Sequence, residues 1–171
     1  MKNLLIFILF LTLFGCSKII KNNQTSLNFN CPRIFFSSDD RNYIDTAGGS
    51  DNLDNVLLKA ELNNFAIIEQ CQLHDNIVII PLDVLIIAQP MERFDKEEIK
   101  FPLYVSLLDK NNNLLETQYF MISNSIKKIF ETNVFIETDI TDRLEIITEN
   151  LETSQLVIGF MIDNKKRELL N

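Results

Sequence analysis

The segment Phe101-Pro102-Leu103-Tyr104-Val105-Ser106-Leu107 carries an apolar side chain at every odd position. A period of two sends successive side chains to opposite faces of an extended chain, so this segment reads as a strand with one buried face. A polar tip follows at residues 110–113. Residues 114–122 then run back with Phe120 and Ile122, which completes a β-hairpin. The same period recurs in Val56, Leu58, Ala60 and Leu62. There the parity changes, and Phe65, Ile67, Cys71 and Leu73 occupy odd positions, read as core-facing. A strand keeps its faces only while its period is unbroken, so the shift at Asn63-Asn64 predicts a bulge or bend. Asp75-Asn76 predicts a hairpin turn into the run at residues 77–80. Pro81 interrupts that run, which continues over residues 82–88 as one long bent strand or two short ones.

Other segments extend the pattern. Residues 31–36, Cys-Pro-Arg-Ile-Phe-Phe, are β-rich, and Pro32 confines them to a strand start or a sheet edge. Val134, Ile136 and Ile140 suggest a strand, and Leu156, Ile158, Phe160 and Ile162 suggest the last. Residues 125–131 fit either a strand or one helical turn. Leu144, Ile147 and Leu151 have helical spacing, while Leu144, Ile146 and Thr148 have strand spacing. Strand and loop is preferred there, because the other elements are β. The expected fold is all-β, an antiparallel immunoglobulin-like β-sandwich of about seven strands. The core Trp of true immunoglobulin domains is missing, since the chain has no Trp.

Residues 37–54 have turn and loop chemistry, with Asp39-Asp40, Gly48-Gly49-Ser50 and Asp51. The spacing of Asp39, Asp40, Asp51 and Asp54 fits no calcium loop, so a solvated loop is expected. The formal net charge is −8. Such an acidic chain is poorly suited to nucleic acid or to lying on anionic lipid, so no nucleic-acid partner is expected.

The N-terminus opens with Met1-Lys2-Asn3, an apolar run over residues 4–14, and then Gly15-Cys16. That run is too short for a spanning helix, which needs about 20 residues. The segment Leu13-Phe14-Gly15-Cys16 resembles the lipobox of a bacterial lipoprotein signal peptide. The resemblance implies a signal peptide over residues 1–15 and an acylated Cys16 as the mature N-terminus, anchored in a membrane. Ser17 stands where Asp would retain an enterobacterial lipoprotein in the inner membrane, which implies the outer membrane, facing the periplasm. Residues 16–30 then form the lipidated cysteine and a polar, Asn-rich tether. The domain spans residues 31–171. Cys31 and Cys71 remain, and an even pair in an exported chain reads as a disulfide, with free thiols or metal ligands as the alternative. One histidine, His74, does not complete a zinc set with them.

Cys31-Pro32-Arg33, a long strand ending in Cys71, Ala88-Gln89-Pro90, Gly159-Phe160 and Glu168-Leu169-Leu170-Asn171 together resemble a family of small alphaproteobacterial envelope lipoproteins. Those proteins share a Cys-Pro start, a second cysteine and a Gly-Phe strand near the end. Where their usual step is Arg-Gly-Pro, this chain has Ala-Gln-Pro. The resemblance implies no catalytic residue.

Catalytic motifs are sparse. His74 lies beside the expected turn, where a solvent-exposed role outweighs that of a general base. No nucleophile elbow and no phosphate-cradling glycine loop occur. No cofactor is expected and the chain is not read as an enzyme. Three functions are weighed: a non-catalytic module that binds another envelope protein, a binder of a small ligand or cell-wall fragment, and a hydrolase with dispersed acids. A contiguous exposed apolar patch would favour the first, a deep pocket with converging polar groups the second, and two facing buried carboxylates the third.

Overall fold

The computed structural model describes residues 27–28, 30–50, 52–129, 132 and 134–170. Cys16, the expected signal peptide, most of the expected tether and Asp51 lie outside the described residues. In chain order the strands are β1 (Leu27–Asn28), β2 (Arg33–Phe36), β3 (Asn42–Thr46), β4 (Val56–Ala66), β5 (Gln72–His74) and β6 (Ile77–Pro90). There follow β7 (Glu98–Leu108), β8 (Leu114–Ser125), β9 (Lys128–Ile129), β10 (Val134–Phe135), β11 (Thr138–Thr148) and β12 (Gln155–Phe160). A short helix, α1 (Asn164–Leu170), ends the described chain.

These elements form an all-β sandwich. One sheet joins β1, β5, β6, β4, β3 and β11, a second runs β2-β12-β7-β8, and β9 and β10 pair as a separate two-stranded ribbon. Pairing is antiparallel except between β12 and β2, which run parallel. Strand β6 is the axis of the larger sheet. Strand β11 lines it over Val78–Ala88, so β5 and β4 must share its opposite edge. Pro81 falls between the stretches that β5 and β4 cover. A missing N–H therefore interrupts the ladder least there, and the run expected as one strand or two is one.

The two inner faces make the core. Val78, Ile80, Leu82, Val84, Ile86 and Ala88 of β6 are buried, as are Phe101, Leu103, Val105 and Leu107 of β7 and Leu156, Ile158 and Phe160 of β12. Aromatic rings bridge the sheets. Tyr43 lies 5.5 Å from Phe101 and 5.3 Å from Phe160, and Phe36 lies 5.4 Å from Phe65. The Tyr43–Phe101 and Phe36–Phe65 pairs meet edge to face, and such contacts add to plain area burial.

Several local expectations match the structure. The register of β4 against β6 slips between Leu62 and Asn64, at the expected bulge. Asp75 and Asn76 both take positive φ and close the β5–β6 hairpin. In the β7–β8 turn, the Asp109 carboxylate accepts hydrogen bonds from the Asn111 and Asn113 backbone N–H groups and from Asn113 Nδ2. Those bonds, the Asn113 side chain first, hold its pKa below the ordinary value.

Other expectations need correction. Residues 37–54 are not all loop, because β3 lies within them. Both parities of β3 carry packed groups, Tyr43 on one and Ile44 and Thr46 on the other, so no clean alternation marks it. Strand β4 ends at Ala66, and Ile67 is exposed because the chain has left the sheet and parity no longer applies. The preferred strand-and-loop reading of residues 125–131 needs none, since Ser125 ends β8 and Lys128–Ile129 form β9. Strand pairing also begins at Leu27, inside the segment read as a tether.

Cys31 and Cys71 form a disulfide, with Cα atoms 5.3 Å apart. Cys31 precedes β2 in the smaller sheet and Cys71 precedes β5 in the larger one. The bridge therefore staples the sheets at one end, where the chain crosses between them. At another margin, Glu116 of β8 accepts hydrogen bonds from Thr148 Oγ1 and Asn150 Nδ2, while Gln118 Nε2 donates to Glu116 and to the Ile147 carbonyl. Burial alone would raise the Glu116 pKa, but the bonds from Thr148, Gln118 and Asn150 together outweigh it and hold the pKa below 4.5.

Two predictions follow from these staples. Replacing Cys31 and Cys71 together by Ser should lower unfolding free energy by up to about 4 kcal/mol in urea titration, because the closed loop no longer restricts the unfolded chain. An unchanged midpoint would show that the bridge contributes nothing. Glu116 has a depressed folded pKa, so its stabilisation is present above pH 4.5 and is lost as pH falls through the folded value. Glu116→Gln should therefore reduce the acid dependence of the melting temperature below that pH, and a parallel pH profile would contradict it.

Candidate interaction face

Register places a set of apolar side chains on the outer face of the four-stranded sheet. In β7 the odd residues point to the core, so Pro102, Tyr104 and Ser106 point outward. Pairing then sets Met121 beside Pro102, Tyr119 beside Tyr104 and Thr117 beside Ser106. On the other side of β7, Gly159 faces Tyr104 and Val157 faces Ser106. Phe35 of β2 lies beside Val157. Met161 continues the row, its N–H donating to the Pro102 carbonyl. The exposed members are large: Tyr119 is 66 % exposed, Met121 59 %, Phe35 45 % and Met161 45 %. Single exposed hydrophobes are ordinary, but a row of them across four paired strands is not.

Gly159 explains the flatness at the centre of this face. A Cβ there would sit 2.6 Å from Tyr104 Cζ. The Tyr104 ring therefore lies over the glycine backbone, and its hydroxyl donates to Asp40 Oδ2 at 2.8 Å. Arg167 of α1 donates to Asp40 Oδ1 through Nε at 2.9 Å, and its second guanidinium nitrogen lies 2.7 Å from the same oxygen. The Phe160 N–H donates to the Asp40 carbonyl. Burial raises the Tyr104 pKa above its ordinary value, with Asp40 adding to the effect. The hydrogen bond and charge of Asp40 raise the Arg167 pKa. Asp40 thus ties the β2–β3 loop, β7, β12 and α1 together at the margin of the face.

This corrects the reading of Asp40 as part of a solvated loop. It is 7 % exposed and fully engaged. Its partners lie 64 and 127 residues away, so nothing local in the sequence marks it. Helix α1 was also missed, although the sequence carries a start signal. Asp163 Oδ1 accepts the Lys166 N–H, the bond of an N-cap, ahead of strong helix formers. Among the described residues no group of three His, Cys, Asp or Glu could hold a metal ion. His74 ends β5 beside the Asp75-Asn76 turn, half-buried and opposite Ile77.

A concavity lies near the disulfide. It has a volume of about 680 Å³ and is lined by Asn30, Arg33, Lys110, Glu152 and Ser154 among others. The Ser154 hydroxyl is buried without a hydrogen-bond partner among the described residues.

Comparison with protein-family models, curated proteins and solved structures finds no match for this chain.

Gly159→Ala should lower the melting temperature by forcing the Tyr104 ring off its seat and breaking its bond to Asp40. The same change in a Tyr104→Ala background should cost less than it does alone, since the ring it meets is gone. Thermal unfolding of the two singles and the double checks this, and strict additivity would refute the contact.

Proposed function

We propose that this protein is a lipid-anchored module of the cell envelope that binds another envelope protein without catalysing a reaction. The observation that carries the reading is the exposed apolar face built from Phe35, Pro102, Tyr104, Tyr119, Met121, Val157 and Met161. Water-exposed apolar surface of this kind gains free energy when a partner covers it. Aromatic side chains and methionine are the residue types that interface centres favour. The lipobox-like Leu13-Phe14-Gly15-Cys16 supports anchoring through acylated Cys16, and Ser17 supports the outer membrane with the domain facing the periplasm. Asp40, the one buried carboxylate among the described residues, is neutralised by Arg167 and committed to packing. That supports a binding role over a hydrolase with dispersed acids.

The concavity near the disulfide favours a second reading, a small ligand or cell-wall fragment held by the same protein. Its size falls within the range of ligand sites. It is wide open, and its lining mixes Arg33, Lys110 and Glu152 with Cys31, Pro32 and Leu151, which resembles a hollow between loops more than a shaped pocket.

A photo-crosslinking residue at Phe35 should capture one envelope protein in cells, whereas the same residue at exposed Ile147 on β11 should not. Met161→Asp should abolish that product, and Cys16→Ser should abolish both fatty-acid labelling and membrane retention. Identical products from Phe35 and Ile147 would defeat the assignment of the face.

A further inference from the structure

Charge is spread unevenly over the outer surfaces of the sandwich. On the smaller sheet Ile34 is buried and Phe35 is exposed, so Arg33 points outward with its second neighbour Phe35. Register sets Arg33 beside Gln155 of β12, and Gln155 beside Leu108 of β7. The same parity turns Lys100 outward near the other end of β7, beside Ser123. Between Arg33 and Lys100, every outward residue that register places on this face is uncharged. Asp40 lies at the margin, where Arg167 neutralises it. Glu98 lies beyond Lys100, at the start of β7. Elsewhere the excess of acids occupies bases. Arg41 pairs with Glu61, Lys96 and Lys166 with Asp45, and Arg143 with Asp83. Arg33 and Lys100 are exposed, and among the described residues they make no ion pair or side-chain hydrogen bond.

We infer, resting on the partner-binding reading of this face, that the partner is a protein whose apolar centre is flanked by carboxylates, one group opposite Arg33 and another opposite Lys100. Covering an apolar face that ends in two unmatched cations calls for a counter-charge at each, and Asp or Glu supplies it. The run from Lys100 to Leu108 along β7 and two strand spacings across to Arg33 set the cations about 30 Å apart. A disc of that width has roughly the 800 Å² that each partner gives to a standard interface. A folded surface fits that span and a small ligand does not. The net charge of −8 does not forbid the match. Acids gather on the larger sheet, with Asp139, Asp142 and Glu145 on β11. Stacked sheets stand about 10 Å apart, and the screening length in physiological salt is roughly 8 Å. A protein confined to the face therefore meets the two cations before those acids. An anionic bilayer extends past the face and meets the acids as well.

The test uses the full-length protein in its own envelope, with the photo-crosslinking residue at Phe35 and product yield as the readout. Arg33→Glu and Lys100→Glu should each lower that yield about fivefold, since each turns an attraction into a repulsion. Lys59→Glu makes an equal change of charge at an exposed position on the outer face of the larger sheet and should leave the yield unchanged. Thermal unfolding checks that each variant is folded. In isolated envelopes, added salt should lower the yield from the unaltered chain, and Arg33→Gln with Lys100→Gln should remove that dependence. Peptides captured from Gln155 and Ser123, which stand beside the two cations, should carry Asp or Glu. A yield indifferent to either reversal, or raised by it, overturns the inference and leaves the binding face standing. An adduct of lipid mass, or no adduct from Phe35 in the unaltered chain, overturns both.

Discussion

The structure depends on one strand keeping its parity. Strand β6 is paired along both edges, and alternate residues from Val78 to Ala88 are buried. A slip of one residue in either neighbour would send Leu62, Ile140 or Ile146 to solvent. The bulge at Leu62–Asn64 absorbs the one place where β4 changes parity without disturbing β6. With β6 fixed, the smaller sheet packs its Phe101 and Phe160 rings against Tyr43, and the disulfide closes the crossover between the layers. Every later feature is placed by that arrangement.

The outer face of the smaller sheet is a by-product of the same parity. If Leu103 and Val105 point inward, Tyr104 must point outward, and Gly159 opposite it lets the ring lie flat. The Asp40–Arg167 pair then holds the rim through the Tyr104 hydroxyl. A charge pair of this kind, with Arg167 partly exposed, orders the margin more than it stabilises the fold. The Tyr104 side chain is held by its bond to Asp40, and a side chain fixed beforehand costs less to order on binding.

Features that depend on neighbours in sequence were legible before the structure. The β7–β8 hairpin, the Asp75-Asn76 turn, the Asn63-Asn64 bulge and the strand reading of Leu144, Ile146 and Thr148 all rest on local period or turn chemistry. The cysteine pair was legible as a disulfide, though not as a staple between sheets. Strand β3 escaped because partly buried Tyr43 packs on the parity opposite buried Ile44 and Thr46, and Thr46 is polar. Asp40 escaped because its partners come from β7 and α1. The apolar face was invisible for the same reason. Phe35, Tyr119 and Met161 become neighbours only once β2, β12, β7 and β8 are in register. Gly159-Phe160, noted only as a motif of resemblance, has a physical role in seating Tyr104 and filling the core.

Methionine oxidation tests the central claim, that this face is covered in the envelope, most directly. Met121 and Met161 lie on the face, whereas Met91 follows the end of β6 and is also exposed, at 36 %. Exposed methionine converts readily to the sulfoxide, so the rate at each site reports its access to oxidant. The account predicts that Met121 and Met161 oxidise more slowly in intact envelopes than in the purified protein, while Met91 oxidises alike in both. Equal rates at all three methionines in the two settings would contradict it.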